Sequence, residues 1–359
     1  MIYKYPLNFQ QVVNDLEKDS HNEPLFISGE ALLVLKSFPD SVIDMAMTSP
    51  PYWGKRDYQN DGIGLEADPI QFIDNLLNVF NELKRVLKPT GSFWLNIGDT
   101  YRNKSLLGLP WRIAIRMIDE QGWIMRNSVI WNKLKGSMDN SPDRLANVHE
   151  NLFHFVKSKH DYFYDTNAIR KKPKNVIIKN GSIISATGVS GVRYRRQIEL
   201  SSELSEAEKK NAIEDLDVMM NQIRLGELSD FRMVIRGHQR ATHSDAESIS
   251  GRARELKQKG YYFLKYHPNG SKPADVWDII PEDSQKRKIH YAPYPEDLCR
   301  IPIAATCPPN GIVLDPFCGT GTTMAVAKKM NRKSIGVDLS SDYIQYANKR
   351  CEVWQMEMH

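Results

Sequence analysis

Cysteine is scarce in this sequence. Cys299, Cys307, Cys318 and Cys351 are the four in a chain of 359 residues. None forms a CxxC pair and no histidine cluster stands at zinc-ligand spacing, so neither a bound structural metal nor a disulfide framework is expected. No run of about 18 apolar residues occurs, which excludes a membrane-spanning helix of the usual kind. The opening Met1-Ile2-Tyr3-Lys4-Tyr5-Pro6 lacks the apolar stretch of a secretory signal, and a soluble protein in a reducing, cytoplasmic setting is expected. An excess of one charge is also missing. Lys and Arg number 48 and Asp and Glu 44, leaving +4, so any polyanionic partner must be met by local clusters. GxGxxG and GxxxxGK[ST] are both absent, which removes the dinucleotide and P-loop readings.

What is present is an alternation of strands and helices. Apolar residues make up 41% of the chain, enough for a substantial core. Leu25-Phe26-Ile27-Ser28 reads as a buried strand, Ala31 to Phe38 as a helix, and Val42 to Met47 as a second strand. Ile73, Leu76, Leu77, Phe80, Leu83 and Leu87 share one face of a helix over Ile70 to Leu87, which Lys88-Pro89-Thr90-Gly91 is expected to stop. Ser92 to Ile97 is the next strand and Pro110 to Gln121 the next helix. Arg126 to Lys133 and Asn151 to Lys157 suggest an antiparallel pair at a sheet edge. From about residue 165 to 275 the periodicity weakens and basic clusters appear, with a helix expected within Ser201 to Leu225. Alternation then resumes: helix Pro295 to Thr306, strand Gly311 to Leu314, helix Thr322 to Met330, strand Lys333 to Asp338, helix Ser341 to Arg350. This pattern predicts an α/β, doubly wound, largely parallel sheet in two halves, 1–164 and 276–359, interrupted by an insertion over 165–275.

Two segments carry chemistry. Asp315-Pro316-Phe317-Cys318-Gly319-Thr320-Gly321-Thr322-Thr323 joins a strand to a helix. Glycines there let the backbone turn sharply and approach a ligand, at the carboxyl end of a strand where open α/β sheets bind ligands. Asp338 ends the next strand, where a carboxylate accepts hydrogen bonds from a ribose diol. Thr48-Ser49-Pro50-Pro51-Tyr52-Trp53 ends another strand. Its prolines freeze the backbone, so the carbonyls of Ser49 and Pro50 hold fixed directions and can accept from an NH2 group. Tyr52 offers a flat face to a base taken out of a duplex.

Together these two segments resemble the DNA amino-methyltransferases, which act on adenine N(6) or cytosine N(4). The resemblance covers roughly residues 25–160 and 289–350. The serine form of the tetrapeptide is most similar to the cytosine-N(4) branch, and adenine N(6) is the alternative. The order of the motifs is similar to the circularly permuted β class, in which His290-Tyr291-Ala292-Pro293-Tyr294-Pro295 matches a segment preceding the cofactor loop. The resemblance implies a Rossmann-like methyltransferase sheet with S-adenosyl-L-methionine as cofactor. It implies contacts with that cofactor from Glu30, Thr48, Tyr294, Pro295, Asp315, Pro316, Phe317, Cys318, Gly319, Gly321, Thr322, Thr323 and Asp338, although Glu30 stands where the family usually has aspartate. Catalysis is expected from Ser49, Pro50, Pro51 and Tyr52 by direct displacement, without a covalent enzyme intermediate. Cys307 precedes Pro308, the reverse of the order that a cysteine nucleophile of the cytosine-C5 type requires.

The resemblance makes the insertion a target recognition domain for double-stranded DNA. Trp53, Lys133, Lys135, Arg193, Tyr194, Arg195, Arg196, Arg236 and Arg240 are the candidate DNA contacts, as phosphate partners and stacking groups. It implies a bacterial, archaeal or phage setting and admits a separately acting cognate restriction endonuclease; monomer and homodimer both stay open. An RNA or small-molecule methyltransferase and a catalytically silent binding module are the competing readings, and the basic insertion and the intact tetrapeptide respectively speak against them.

Overall fold

The structure is a computed structural model, and it describes residues 1–6, 8–18, 22–54, 62–134, 141–171, 177–179, 182–184, 191–237, 251–282 and 294–353. The chain divides into two compact units, Met1–Ala168 with Ala274–His359, and Ile169–Pro273.

The first unit opens with β1 (Ile2–Lys4), α1 (Phe9–Lys18), β2 (Leu25–Ser28), α2 (Ala31–Lys36) and β3 (Ile43–Thr48). It continues with α3 (Pro69–Val86), β4 (Leu87–Ile97), a small hairpin of β5 (Tyr101–Arg102) and β6 (Ser105–Leu106), α4 (Leu109–Asp119), β7 (Ile124–Asn132) and β8 (His149–Val156). The second unit holds the hairpin of β9 (Ile177–Lys179) and β10 (Ser182–Ile184), then α5 (Gly191–Glu199), α6 (Glu206–Arg224), β11 (Asp230–Ile235), α7 (Gly251–Lys259) and β12 (Tyr261–Tyr266). The chain returns to the first unit with β13 (Val276–Asp278), α8 (Glu296–Thr306), β14 (Ile312–Asp315), α9 (Thr322–Lys329), β15 (Lys333–Asp338) and α10 (Ser341–Val353).

Nine of these strands form one sheet in the order β1-β2-β15-β14-β3-β4-β8-β7-β13. Every neighbouring pair is parallel except β4–β8 and β8–β7, so β8 alone runs against the rest. The β7–β8 pair is antiparallel as the sequence suggests, but it is not the edge: Val276–Asp278 of β13 pairs with Ile130–Asn132 and covers it. Both faces of the sheet are buried, which explains the near-continuous apolar strands. In β2, Leu25 and Ile27 face a core shared with α1 to α4, whereas Phe26 faces Met324, Ile344 and Ala347 of α9 and α10. In β3, Ile43 and Ala46 join the first core, while Met45 and Met47 join Leu298 and Ile303 of α8.

Local chemistry sets the element ends. Asp68 caps α3 by accepting from the Ile70 N–H, with Pro69 in the first turn. Phe72, Ile73, Leu76, Leu77, Phe80 and Leu83 then line the buried face of α3. Leu87 does not extend this helix; it starts β4, which runs through Lys88-Pro89-Thr90-Gly91 to Ile97. The segment expected to be a simple stop is thus strand, with Pro89 and Thr90 exposed where no ladder partner is needed.

The second unit has its own core of Tyr194, Ile198, Leu204, Ala212, Leu216, Met219, Phe231, Met233, Ile235 and Tyr261. Its long helix α6 begins at a capping box, in which Ser205 accepts from the Glu208 N–H and Glu208 from the Ser205 N–H. Among the described residues, no helix is long and apolar enough to cross a membrane.

Candidate active site

The sheet contains a topological switch. From β14 the chain passes through α9 to β15 on one side, and from adjacent β3 it passes through α3 to β4 on the other. Connections that leave in opposite directions open a crevice at the carboxyl ends of the two central strands. The two segments singled out in the sequence lie there: Asp315 ends β14 and Thr48-Ser49 ends β3.

On the β14 side the loop is tightly wound. The Gly321 N–H donates to the Cys318 carbonyl and the Cys318 N–H to the Val337 carbonyl. Gly319 and Gly321 have positive φ, 49° and 75°, a conformation that other residues adopt at a cost. A Cβ at Gly321 would also meet the Ala347 Cβ at 2.8 Å. Cys318 is buried against Gly336, where a Cβ would lie 2.9 Å from Sγ, and burial pushes its thiol far above the ordinary range. It packs and does not react.

Asp315 is fully buried and is the hub of this side. Its carboxylate accepts from Thr48 Oγ1 (2.6 Å), Thr323 Oγ1 (2.7 Å), Tyr294 Oη (2.9 Å) and the Phe317 N–H (3.1 Å). Burial raises its pKa, partly offset by these hydrogen bonds. All four donors are neutral, so none of them cancels the charge of the carboxylate. Thr48 and Thr323 are fully buried and Tyr294 nearly so, each with its hydroxyl turned to Asp315. These three, expected as cofactor contacts, brace the carboxylate. Thr322 accepts from Arg350 at 3.0 Å. Pro295 is the buried N-cap of α8, Pro316 is buried, and Phe317 is half-buried.

Asp338 ends β15 beside the loop. Its two oxygens accept from the Gly319 and Ser340 N–H groups, both at 2.9 Å. Burial nevertheless pushes its pKa up to about 6. Each oxygen retains a lone pair for a ligand hydroxyl. Glu30 follows β2, which pairs with β15 so that Ser28 stands opposite Asp338. The Glu30 side chain is exposed and caps nothing. Carboxylate diol acceptor, glycine loop and buried anion suit a ribose-bearing cationic cofactor.

On the β3 side, Ser49 and Tyr52 enter a polar network that the sequence reasoning missed. Ser49 Oγ donates to Tyr52 Oη at 3.1 Å, and Tyr52 Oη donates to Glu150 Oε2 at 2.7 Å. Asn96 Nδ2 donates to Tyr52 Oη (3.1 Å), Glu150 Oε2 (2.8 Å) and, more weakly, Ser49 Oγ (3.4 Å). The Asn96 Oδ1 atom is buried without a hydrogen-bond partner among the described residues. Lys133 forms an ion pair with Glu150 Oε1 and lies 5.0 Å from the centre of the Trp131 ring. Burial opposes the charge of Glu150, but the Lys133 ammonium and the Tyr52 and Asn96 hydrogen bonds outweigh it and hold the carboxyl below its usual range. Because β8 runs antiparallel to β4, its first residues lie at the carboxyl end of the sheet, which brings Glu150 to the crevice. The Tyr52 ring edge rests on Gly98, where a Cβ would come within 2.9 Å of Cε2.

Several other expectations change. Lys133, expected as a DNA contact, donates to Glu150 Oε1. Tyr194 is buried in the core of the second unit, stacked on Phe231 at 5.5 Å, because Tyr194 and Ile198 share the inner face of α5. It is therefore not presented to a base. Arg236 is held by the Glu208 carboxylate and the Glu203 carbonyl, and Arg195 pairs with Asp217. Arg193 and Arg196 are exposed on α5. Trp53 donates to the Glu66 carbonyl at 2.8 Å and lies under Arg102. Asp99 accepts from the Gly108 and Leu109 N–H groups at the start of α4. Lys135, Arg240 and the segment His290-Tyr291-Ala292-Pro293 lie outside the described residues.

Comparison with known proteins places this architecture. The PvuII DNA methyltransferase (cytosine-N4-specific) has the same fold, with a TM-score of 0.52 at 19% identity over 92% of this chain and 90% of that one. The fold is that of a Rossmann-like methyltransferase. The Type II methyltransferase M.SfiI of Streptomyces fimbriatus is 30% identical over 88% of each chain. M.Cfr9I of Citrobacter freundii is 26% identical over 94% of this chain and 92% of that one. The model of the N6/N4 DNA methylases, described as DNA methylase, matches residues 43–349. The chain belongs to this DNA methylase family.

Proposed function

We propose that the protein transfers a methyl group from S-adenosyl-L-methionine to the N(4) amino group of cytosine at a specific site in duplex DNA, with the target base turned out of the helix. The observation that carries this reading is the position of Ser49-Pro50-Pro51-Tyr52 at the switch crevice, one strand away from the Asp315 loop. S-adenosylmethionine supplies an electrophilic methyl group on a cationic sulfur when bound. Asp315, Phe317, Gly319, Gly321 and Asp338 hold it, with Thr48, Thr323 and Tyr294 bracing Asp315 from behind.

The rigid Ser49 and Pro50 carbonyls accept from the amino group and draw its nitrogen lone pair out of conjugation with the ring. Tyr52 stacks on the extruded base while Gly98 and Glu150 fix its ring and hydroxyl. Orientation of two held reactants is worth up to about 7–11 kcal/mol, so a rigid crevice can supply much of the rate. Ser49, in place of an aspartate, favours cytosine over adenine. The second unit serves as the target recognition domain, with Arg193 and Arg196 meeting phosphates. The Type II methyltransferase names of the relatives support a place in a restriction–modification system.

The test is transfer of labelled methyl from S-adenosylmethionine to duplex DNA, followed by digestion to nucleosides. Label in N(4)-methylcytosine is expected. Label confined to methyladenine overturns the choice of base, and label accepted by RNA alone overturns the substrate class.

A further inference from the structure

Methylation of an amino group leaves a proton to be removed, and the crevice contains a continuous hydrogen-bonded path for it. Ser49 Oγ donates to Tyr52 Oη, and Tyr52 Oη donates to Glu150 Oε2, at 3.1 and 2.7 Å. The path begins on the half-buried first residue of the tetrapeptide and ends on a carboxylate that is 8% exposed. An ionised carboxylate so far from water must have a purpose or a compensating partner. Lys133 is that partner, and a buried ion pair is often no more stabilising than an apolar pair of similar volume.

We propose that Glu150 is the terminal acceptor of the proton shed by the target amino group, reached through Ser49 and Tyr52. This rests on the reading of Ser49–Tyr52 as the site of amino methylation. The amino nitrogen forms its bond to the methyl carbon with its own lone pair, and the electron pair of the broken carbon–sulfur bond leaves with the donor. The nitrogen then carries one proton in excess. That proton passes to Ser49 Oγ as the Ser49 proton passes to Tyr52 Oη and the Tyr52 proton to Glu150 Oε2. Ser49 and Tyr52 end as they began, each neutral with one proton. Glu150 ends as a neutral acid beside Lys133, and loses its proton to solvent before the next turnover. Glu150 does not touch the base; it acts through Tyr52 and Ser49 and is a positioning and proton-accepting residue.

Among the described residues, the groups that face Glu150 are Trp131 from β7 and Lys133 just after it, Asn96 from β4, and Tyr52 from the loop after β3. Of these, Lys133 alone is charged. Removing it leaves burial as the dominant influence on the carboxyl, and its pKa must rise. That gives a signature which a merely structural role would not produce.

The experiment measures single-turnover methyl transfer at saturating cofactor and duplex DNA from about pH 8 to about pH 5. The wild type is expected to stay level, because Glu150 remains ionised. Lys133→Gln is expected to show an acid limb inside this window, with rate recovered at high pH. Glu150→Gln is expected to bind cofactor and DNA normally, to lose about 10²–10⁴-fold in rate, and to show no such limb when combined with Lys133→Gln. Glu150→Asp should keep part of the rate. Transfer by Glu150→Gln at the wild-type rate, or a level profile for Lys133→Gln, overturns the proposal. If Glu150→Gln does not fold, the Lys133→Gln profile decides alone. Absence of DNA methylation by the wild type instead overturns the underlying reading of the site, a distinct result.

Discussion

Asp338 couples stability to cofactor binding. Its pKa is raised from 3.8 to about 6, chiefly by burial, against hydrogen bonds from Ser340 and Gly319. At about 1.36 kcal/mol per pH unit, holding this carboxylate ionised in the folded protein costs about 3 kcal/mol. A group whose folded pKa is raised favours the folded state fully below its unfolded pKa and loses that contribution as pH rises through the folded value. The cofactor-free wild type is therefore penalised above about pH 6 and relieved of the penalty near pH 4. Asp338→Asn removes the titration. It also places an NH2 group where one of the two backbone N–H donors points, which costs about 1 kcal/mol. The variant is expected to be more stable than wild type by about 1–2 kcal/mol at neutral pH. This advantage should disappear as pH falls through the same window. Urea unfolding at a series of pH values without cofactor measures it. The same substitution deprives a ribose diol of a charged acceptor, so S-adenosylmethionine should bind about 10- to 150-fold more weakly by calorimetry. A variant no more stable than wild type at any pH, with cofactor affinity unchanged, refutes the reasoning for Asp338.

Two further outcomes follow from particular contacts. Gly98→Ala puts a methyl group against Tyr52 Cε2, so the ring must shift; a displacement near 1 Å should lower transfer by about 10²-fold while cofactor affinity stays the same, as steady-state kinetics and calorimetry will show. Arg193→Ala with Arg196→Ala should weaken binding to all duplex sequences alike and reduce the slope of log affinity against log salt by about 0.9 per lost phosphate contact. A salt slope equal to that of wild type removes these two arginines from the DNA surface.

The alternation of apolar strands and amphipathic helices was legible in the sequence because each element carries its own periodicity, as α3 does with Leu76, Phe80 and Leu83. The Asp315 loop was legible because its glycines and its helix are contiguous. The Glu150 network was not. Glu150 lies 98 residues from Tyr52 and 54 from Asn96, and only the reversed direction of β8 brings them together. One signal was available: an acid near the start of a strand whose later residues Leu152, Phe153, Phe155 and Val156 are apolar. Tyr194 misled for a related reason. The flanking arginines marked the segment as a candidate DNA contact, yet Tyr194 and Ile198 are four residues apart and so share a helix face, which favours burial. The strand character of Lys88–Gly91 was hidden by a Pro and a Gly that usually end structure, and depends on an unpaired stretch at the start of β4.

Ser49-Pro50-Pro51-Tyr52 is proposed to deliver a methyl group to cytosine N(4). The most direct measurement is mass spectrometry of the nucleosides in DNA from cells that express either the wild type or Tyr52→Ala. N(4)-methylcytosine is expected with the wild type and none with Tyr52→Ala, although the purified variant still binds S-adenosylmethionine. Methyladenine as the sole product, or N(4)-methylcytosine persisting in the variant, would contradict it.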